Sequence, residues 1–171
     1  MAKRWGKVDY RELQKLRDNL EKLQKVDMEK FCSDMSKELA QRLLRRVKQR
    51  TPVGEYEVIT YRTKDGRTFT FNEGKSGGTL RNAWTIQKTV TKKGTVYEIE
   101  IVNPTEYASY VEYGHRQEIG RFVPQIGKRL KSGWVEGKFM LKISEEEVQA
   151  LAPRLLEKRL NDKLKEVFDV N

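Results

Sequence analysis

Apolar residues recur at helical spacing over the first fifty positions. Leu13, Leu16, Leu20, Leu23 and Val26 follow one another at intervals of three or four, which marks one helical stripe. The stripe is narrow and flanked by charge, closer to a coiled-coil seam than to a core face. It predicts a helical extension over residues 1–27 that packs on a single neighbour. Asp27 then offers an N-cap. Phe31, Met35, Leu39, Leu43 and Val47 give a second stripe, widened by Met28, Ala40 and Leu44. A helix over 28–50 spans roughly 33 Å and stops where Thr51-Pro52 forbids continuation.

The period then changes to two. Residues 56–62 and 68–72 read as strands around Lys64-Asp65-Gly66-Arg67, an Asp-Gly hairpin signal. Phe69 and Phe71 share one face and the rest is polar, so this hairpin is expected to stand at the rim or project. Residues 84–91 and 95–102 form a second antiparallel pair around Lys92-Lys93-Gly94. A slip in alternation there predicts a bulge near Tyr97. Residues 106–113 read as a short helix, stopped by Gly114 and seated on the sheet by Tyr107, Tyr110, Val111 and Tyr113. Four later glycines break up residues 114–138, which read as a long flexible loop. Residues 139–143 read as a short strand, and Ser144-Glu-Glu-Glu147 as the capping box of a final helix that Pro153 should kink. The expected fold is α+β: an antiparallel sheet packed against a long N-terminal helix and a C-terminal helix, with a projecting hairpin and a long basic loop. Residues 28–171 form one domain after the extension.

Charge adds a location to this pattern. The net charge is +10. Residues 1–50 contribute +7 and residues 114–142 +5, while 51–113 are neutral and 143–171 carry −2. The basic excess therefore lies on the N-terminal helices and the late loop, around a neutral body. Arg42, Arg45, Arg46 and Arg50 share roughly one helix face, a patch suited to phosphate or to an acidic protein surface. Cations also complement the C-terminal dipole of that helix. In the loop, Arg121 adjoins Phe122 and Lys131 lies near Trp134, a pairing that suits backbone-type nucleic-acid contact or burial against a neighbouring subunit.

Catalytic chemistry finds little support. His115 is the single histidine and Cys32 the single cysteine, so histidine–cysteine metal clusters are excluded by count. Cys32, on a helical pattern, is expected to be a small buried thiol. Gly74-Lys75-Ser76 lacks the upstream glycine of a phosphate-binding loop, because Phe69 stands there. Glu98, Glu100, Glu106 and Glu112 could serve a metal-dependent nuclease only if the fold brought them together. Glu112 is instead expected to pair with Arg116 or Arg81. No catalytic residue, cofactor or metal is assigned. Met1 to Lys7 lacks a secretory core and no apolar run suits a membrane span, so a soluble protein of the cytosol is expected.

Five segments occur in a suggestive order: Thr51-Pro-Val-Gly54, Gly78-Thr-Leu-Arg-Asn-Ala-Trp84, Asn103-Pro-Thr-Glu-Tyr-Ala108, Tyr110-Val-Glu-Tyr-Gly-His-Arg116 and Gly137-Lys-Phe-Met140. The series resembles the tail-component family of tailed bacteriophages and prophages, including phage-tail-like particles of the PBSX type. It covers about residues 28–168, without needing residues 1–27 or the hairpin at 56–72, and its most specific part is the tyrosine-rich stretch ending in Gly114-His115-Arg116, with Tyr107, Tyr110, Glu112 and Tyr113 as its structural motif. The resemblance implies a non-enzymatic virion part, assembled in the bacterial host cytoplasm, at the neck or tail-completion region. It implies a homo-oligomeric ring, often six-fold, in contact with other neck and tail proteins. The basic charge of such a ring's lumen would tolerate non-specific contact with passing DNA, or, in a particle without a head, would serve protein contacts only. On that reading His115, Arg116, Arg121, Phe122, Lys128, Arg129 and Trp134 belong to an inter-subunit loop. The alternative is a sequence-independent nucleic-acid binder using the four arginines.

Overall fold

The computed structural model describes residues 28–168 and, before them, residues 14, 15, 17, 18 and 21, which are helical. The stripe expected from Leu13 to Val26, and the Asp27 cap, lie outside the described residues. Helix α1 (Met28–Arg50) follows the predicted bounds. Its stripe turns Met35, Ala40 and Val47 into the interior. Cys32 on its flank is half-buried rather than enclosed. The helix ends on a dense polar knot. The buried Thr51 hydroxyl donates to the Val47 carbonyl and accepts from the Trp84 indole N–H at 2.9 Å. Arg81 donates through Nε and Nη2 to the Thr51 carbonyl at 3.0 and 2.8 Å. A cation thus satisfies a carbonyl at the negative end of the helix.

Hairpin β1 (Ile59–Arg62) and β2 (Thr68–Phe71) pairs in the register Ile59↔Phe71, closing on Gly66 at φ 80°. Short helix α2 (Thr79–Ala83) brings Leu80 and Trp84 under α1. The second antiparallel pair is one long hairpin in two pieces. Strand β3 (Thr85–Ile86) pairs with β6 (Ile101–Val102), and β4 (Thr91–Lys93) pairs with β5 (Val96–Glu98). The irregularity lies mainly on the first strand: residues 87–90 face only residues 99–100. The slip in alternation therefore marks a break after Glu98, with the surplus residues on the opposite strand, not a bulge at Tyr97.

Helix α3 (Ala108–Tyr113) ends at Gly114, φ 84°. Beyond it the structure corrects the expected loop. Strand β7 (Gly114–Arg116) pairs with β10 (Trp134–Glu136), and β8 (Phe122–Val123) pairs with β9 (Lys128–Arg129). Between them the Gln117 amide donates to Gly133 and the Leu130 amide to Arg121. Residues 114–136 are therefore a β-hairpin arm. Glycine permits its root. A Cβ on Gly114 would meet the Val135 carbonyl oxygen at 2.4 Å, and one on Gly137 the Glu112 carbonyl oxygen at 2.4 Å.

Helix α4 (Met140–Phe168) starts earlier than expected and absorbs the apolar run read as a strand. Ser144 lies in its second turn, buried, with its hydroxyl on the Met140 carbonyl. It is not the cap, and Glu147 has another use. The helix continues through Pro153.

The architecture is α+β, as expected, but the described residues form five two-stranded antiparallel ladders rather than one sheet. The core is Val47, Leu80, Trp84 and Met140, bordered by Leu44, Ile101, Ala108, Val111 and Leu141. Full burial of each such large side chain contributes about 1.5–3 kcal/mol. Every layer meets there: α1, α2, the β3–β6 ladder, α3 and the first turn of α4.

Candidate assembly surfaces

Two surfaces stand out, and both are held in place by charge. The first is the base of the arm. Tyr107 sits at the N-cap of α3 and Tyr110 and Tyr113 lie on it, and the structure places all three outward: Tyr110 is 57% and Tyr113 63% exposed. They do not seat the helix on a sheet. Ala108 and Val111 do that, against the core. Trp134 and Val135 on β10 and Ile119 in the arm are exposed as well. The Tyr110 ring lies 5.8 Å from that of half-buried His115. The His115 Nδ1 atom is buried and has no hydrogen-bond partner among the described residues.

Glu112 is the inward residue of α3 and explains how the arm is rooted. It is 5% exposed. Its carboxylate accepts from the backbone amides of Leu141 at 3.0 Å and Lys142 at 3.1 Å. These are first-turn donors of α4 that no intrahelical carbonyl can reach. The residue before that helix is Phe139, at φ 47°, which has no side-chain oxygen to cap with. Glu112 supplies the missing cap from another helix, and its negative charge suits the positive end of the α4 dipole. The Phe139 amide in turn donates to the Glu112 carbonyl at 3.0 Å. The expected pairing with Arg116 or Arg81 is not formed. Arg81 serves Thr51, and Arg116 is exposed.

The arm tip is tied to the first hairpin. Tyr61 meets Phe71 and Phe122 edge-to-face at 5.9 and 6.0 Å. Buried Asn72 donates to the carbonyls of Glu57 and Gln125 at 2.9 and 2.6 Å. The hairpin does not project alone but braces the arm. Phe122 is partly occupied by this contact and by Arg129, whose guanidinium lies 6.0 Å above its ring. Arg129 also donates to the Gly120 carbonyl. Arg121 and Lys128 are exposed.

The second surface is a groove of about 600 Å³ between α1 and α4, lined on α1 by Arg42, Arg45 and Arg46 and on α4 by Arg154 and Lys158. The helices run antiparallel, pinned at two places. Glu147 receives Arg46 and, at 2.6 Å, Arg50. Glu38 receives Arg42 at 2.8 Å and Arg159 at 3.1 Å. Hydrogen bonds from Arg42 and Arg159 hold the Glu38 carboxyl below the usual carboxylate range. Partial burial would raise the Glu147 carboxyl, but the bonds from Arg46 and Arg50 outweigh it and lower it. Three of the four arginines read as an open patch are thus used within the chain. Arg45 has no carboxylate partner among the described residues.

Among the described residues the carboxylates considered for a nuclease do not converge. Glu98 pairs with Lys93, Glu100 accepts from Gln87, and Glu112 caps a helix. Among the described residues no group of three histidine, cysteine or carboxylate side chains could hold a metal ion. No described helix is long and apolar enough to cross a membrane.

A long helix backed by short ladders, with its surfaces spent on exposed aromatics and paired charge, defines a structural and interaction module. The family model described as "Bacteriophage HK97-gp10, putative tail-component" matches residues 14–114. The chain therefore belongs to the HK97-gp10-like family of phage tail components. The match takes in the β1–β2 hairpin and ends at the root of the arm, short of residue 168. No curated protein and no solved structure matches the chain. Membership places the protein in the phage particle, among other tail proteins, in a structural part.

Proposed function

We propose that the chain is a ring-forming subunit at the head-proximal neck or tail-completion region of a phage tail or phage-tail-like particle. One observation carries the reading. Tyr107, Tyr110 and Tyr113 at α3 and Trp134 and Val135 on β10 leave exposed apolar side chains gathered around the root of a braced arm. Isolated exposed apolar residues need no explanation, but several around one projection suit a subunit interface. Identical copies meeting head to tail through such an arm close into a ring when the rotation allows it. His115, Arg116, Arg121 and Lys128 then lie along the arm as contact residues, with Phe122 and Arg129 shaping its tip. The nucleic-acid alternative is not favoured, because Arg42, Arg46 and Arg50 already hold carboxylates.

Multi-angle light scattering of the full chain over a range of concentrations tests the proposal, with negative-stain imaging of the largest species. Concentration-dependent closed rings are expected. The Tyr113→Ser/Trp134→Ser variant should shift the population to monomer while keeping its helical circular dichroism. A strict monomer at every concentration, in a chain that is also absent from purified particles, overturns the reading.

A further inference from the structure

The groove between α1 and α4 has a composition that the tail-component assignment leaves unused. Its floor is apolar: Leu39 on α1 and Leu151 and Leu155 on α4 line it, and Leu151 is 46% exposed. Its rim is cationic. Arg45, Arg154 and Lys158 have no carboxylate partner among the described residues, although acids are plentiful on both helices. The two acids that cross between the helices, Glu38 and Glu147, are committed elsewhere, pinning the helices together. The lining runs from Leu39 to Gln49 on one side and from Val148 to Lys158 on the other, about 15 Å of groove at 1.5 Å per residue. An apolar floor with a charged rim is the complement of an amphipathic helix. A bare phosphate backbone would gain nothing from the leucines.

We infer that this groove docks an acidic amphipathic helix, about three turns long, of a partner protein. Its leucine-type residues would sit on Leu39, Leu151 and Leu155, and its carboxylates on Arg45, Arg154 and Lys158. An acidic helix from a partner protein is favoured over residues 1–27 of a second copy of this chain, which carry a net charge of +3, the same sign as the rim. The inference uses no arm residue and does not depend on ring formation.

The test uses the full chain and a labelled peptide of about 18 residues, roughly 27 Å as a helix, with leucine at every third or fourth position and glutamate between. Fluorescence anisotropy compares it with a scrambled peptide of the same composition and with a short duplex DNA. The ordered peptide is expected to bind at least about tenfold more tightly than the scramble. The Arg45→Glu/Arg154→Glu variant should weaken it by about tenfold or more through repulsion at the rim. Leu151→Ser, at an exposed position, should weaken it several-fold with no change in thermal melting. Both variants should keep the oligomeric state of the parent, which separates a failure here from a failure of the ring. Absence of peptide binding overturns the inference. So does duplex DNA that binds more tightly than the peptide and is indifferent to Leu151→Ser, which would make the groove a nucleic-acid face.

Discussion

Glu112 joins three parts of the molecule at one carboxylate: α3, the return of the arm and the first turn of α4. Glu112→Gln leaves one acceptor oxygen and turns an amide donor toward a backbone N–H. The loss is expected at about 1–2 kcal/mol, the range for a helix cap with its charge, read as a lowered urea midpoint with an unchanged slope. Gly137→Ala should destabilise by about 1–3 kcal/mol through overpacking, because its Cβ would also meet the Tyr113 carbonyl carbon at 2.6 Å. Both changes should loosen the arm root together, visible as faster amide exchange at Gly114 and Lys138. The sequence marks Glu112 as unusual, a carboxylate among tyrosines, but its use was not legible. An arginine is the usual partner for an acid in a basic chain. The true partners are backbone amides almost thirty positions on, which have no side-chain signature. The one available signal is negative: Lys138 and Phe139 offer α4 no capping oxygen. Ser144 and Glu147 matched a capping pattern by spacing alone, and the apolar run before them concealed the earlier start.

At the scale of elements, α1 and α4 form a clamp whose closure depends on two carboxylates. Glu38 and Glu147 both have lowered affinities for protons in the folded chain. Their stabilising contribution is therefore full above the ordinary carboxylate value near 4.5 and is lost as pH falls through the lower folded values. Thermal melts between pH 7 and pH 3 should show a fall in midpoint confined to the acid end. Glu147→Gln should flatten part of that fall and lower the midpoint at pH 7, a modest change because the pairs are solvent-accessible. Helix α1 and the first hairpin were legible in the sequence because their signals are local: a stripe closed by Thr-Pro, and an Asp-Gly turn. The arm was not. Its strands are two or three residues long, glycines interrupt them, and Arg116 pairs with Trp134 across eighteen positions. Pairing of that kind is specified by turns and packing rather than by alternation. The outward tyrosines escaped for a related reason. On a six-residue helix the inward face holds only two or three side chains, and Glu112 takes one of them.

For the whole molecule, the α+β class was readable from the order of periodicities, and the family from short segments, of which those between Thr51 and Gly114 lie within the matched span. The family match spans residues 14–114, which hold the α1, α2 and α3 faces of the core. The arm and α4 lie beyond it, and they carry both surfaces proposed for assembly. The core is small for the chain, and many large apolar side chains remain exposed, the state expected of a part that completes its burial in an assembly. Deleting residues 117–133 and joining Arg116 to Trp134 through a short turn should therefore leave the helical signal intact and abolish higher oligomers in sedimentation velocity. The measurement that reaches the central claim most directly is immunogold labelling of the chain in purified particles. The account predicts gold confined to the head-proximal end of the tail. Gold distributed along the tube, or particles that carry no copy of the chain, would contradict it.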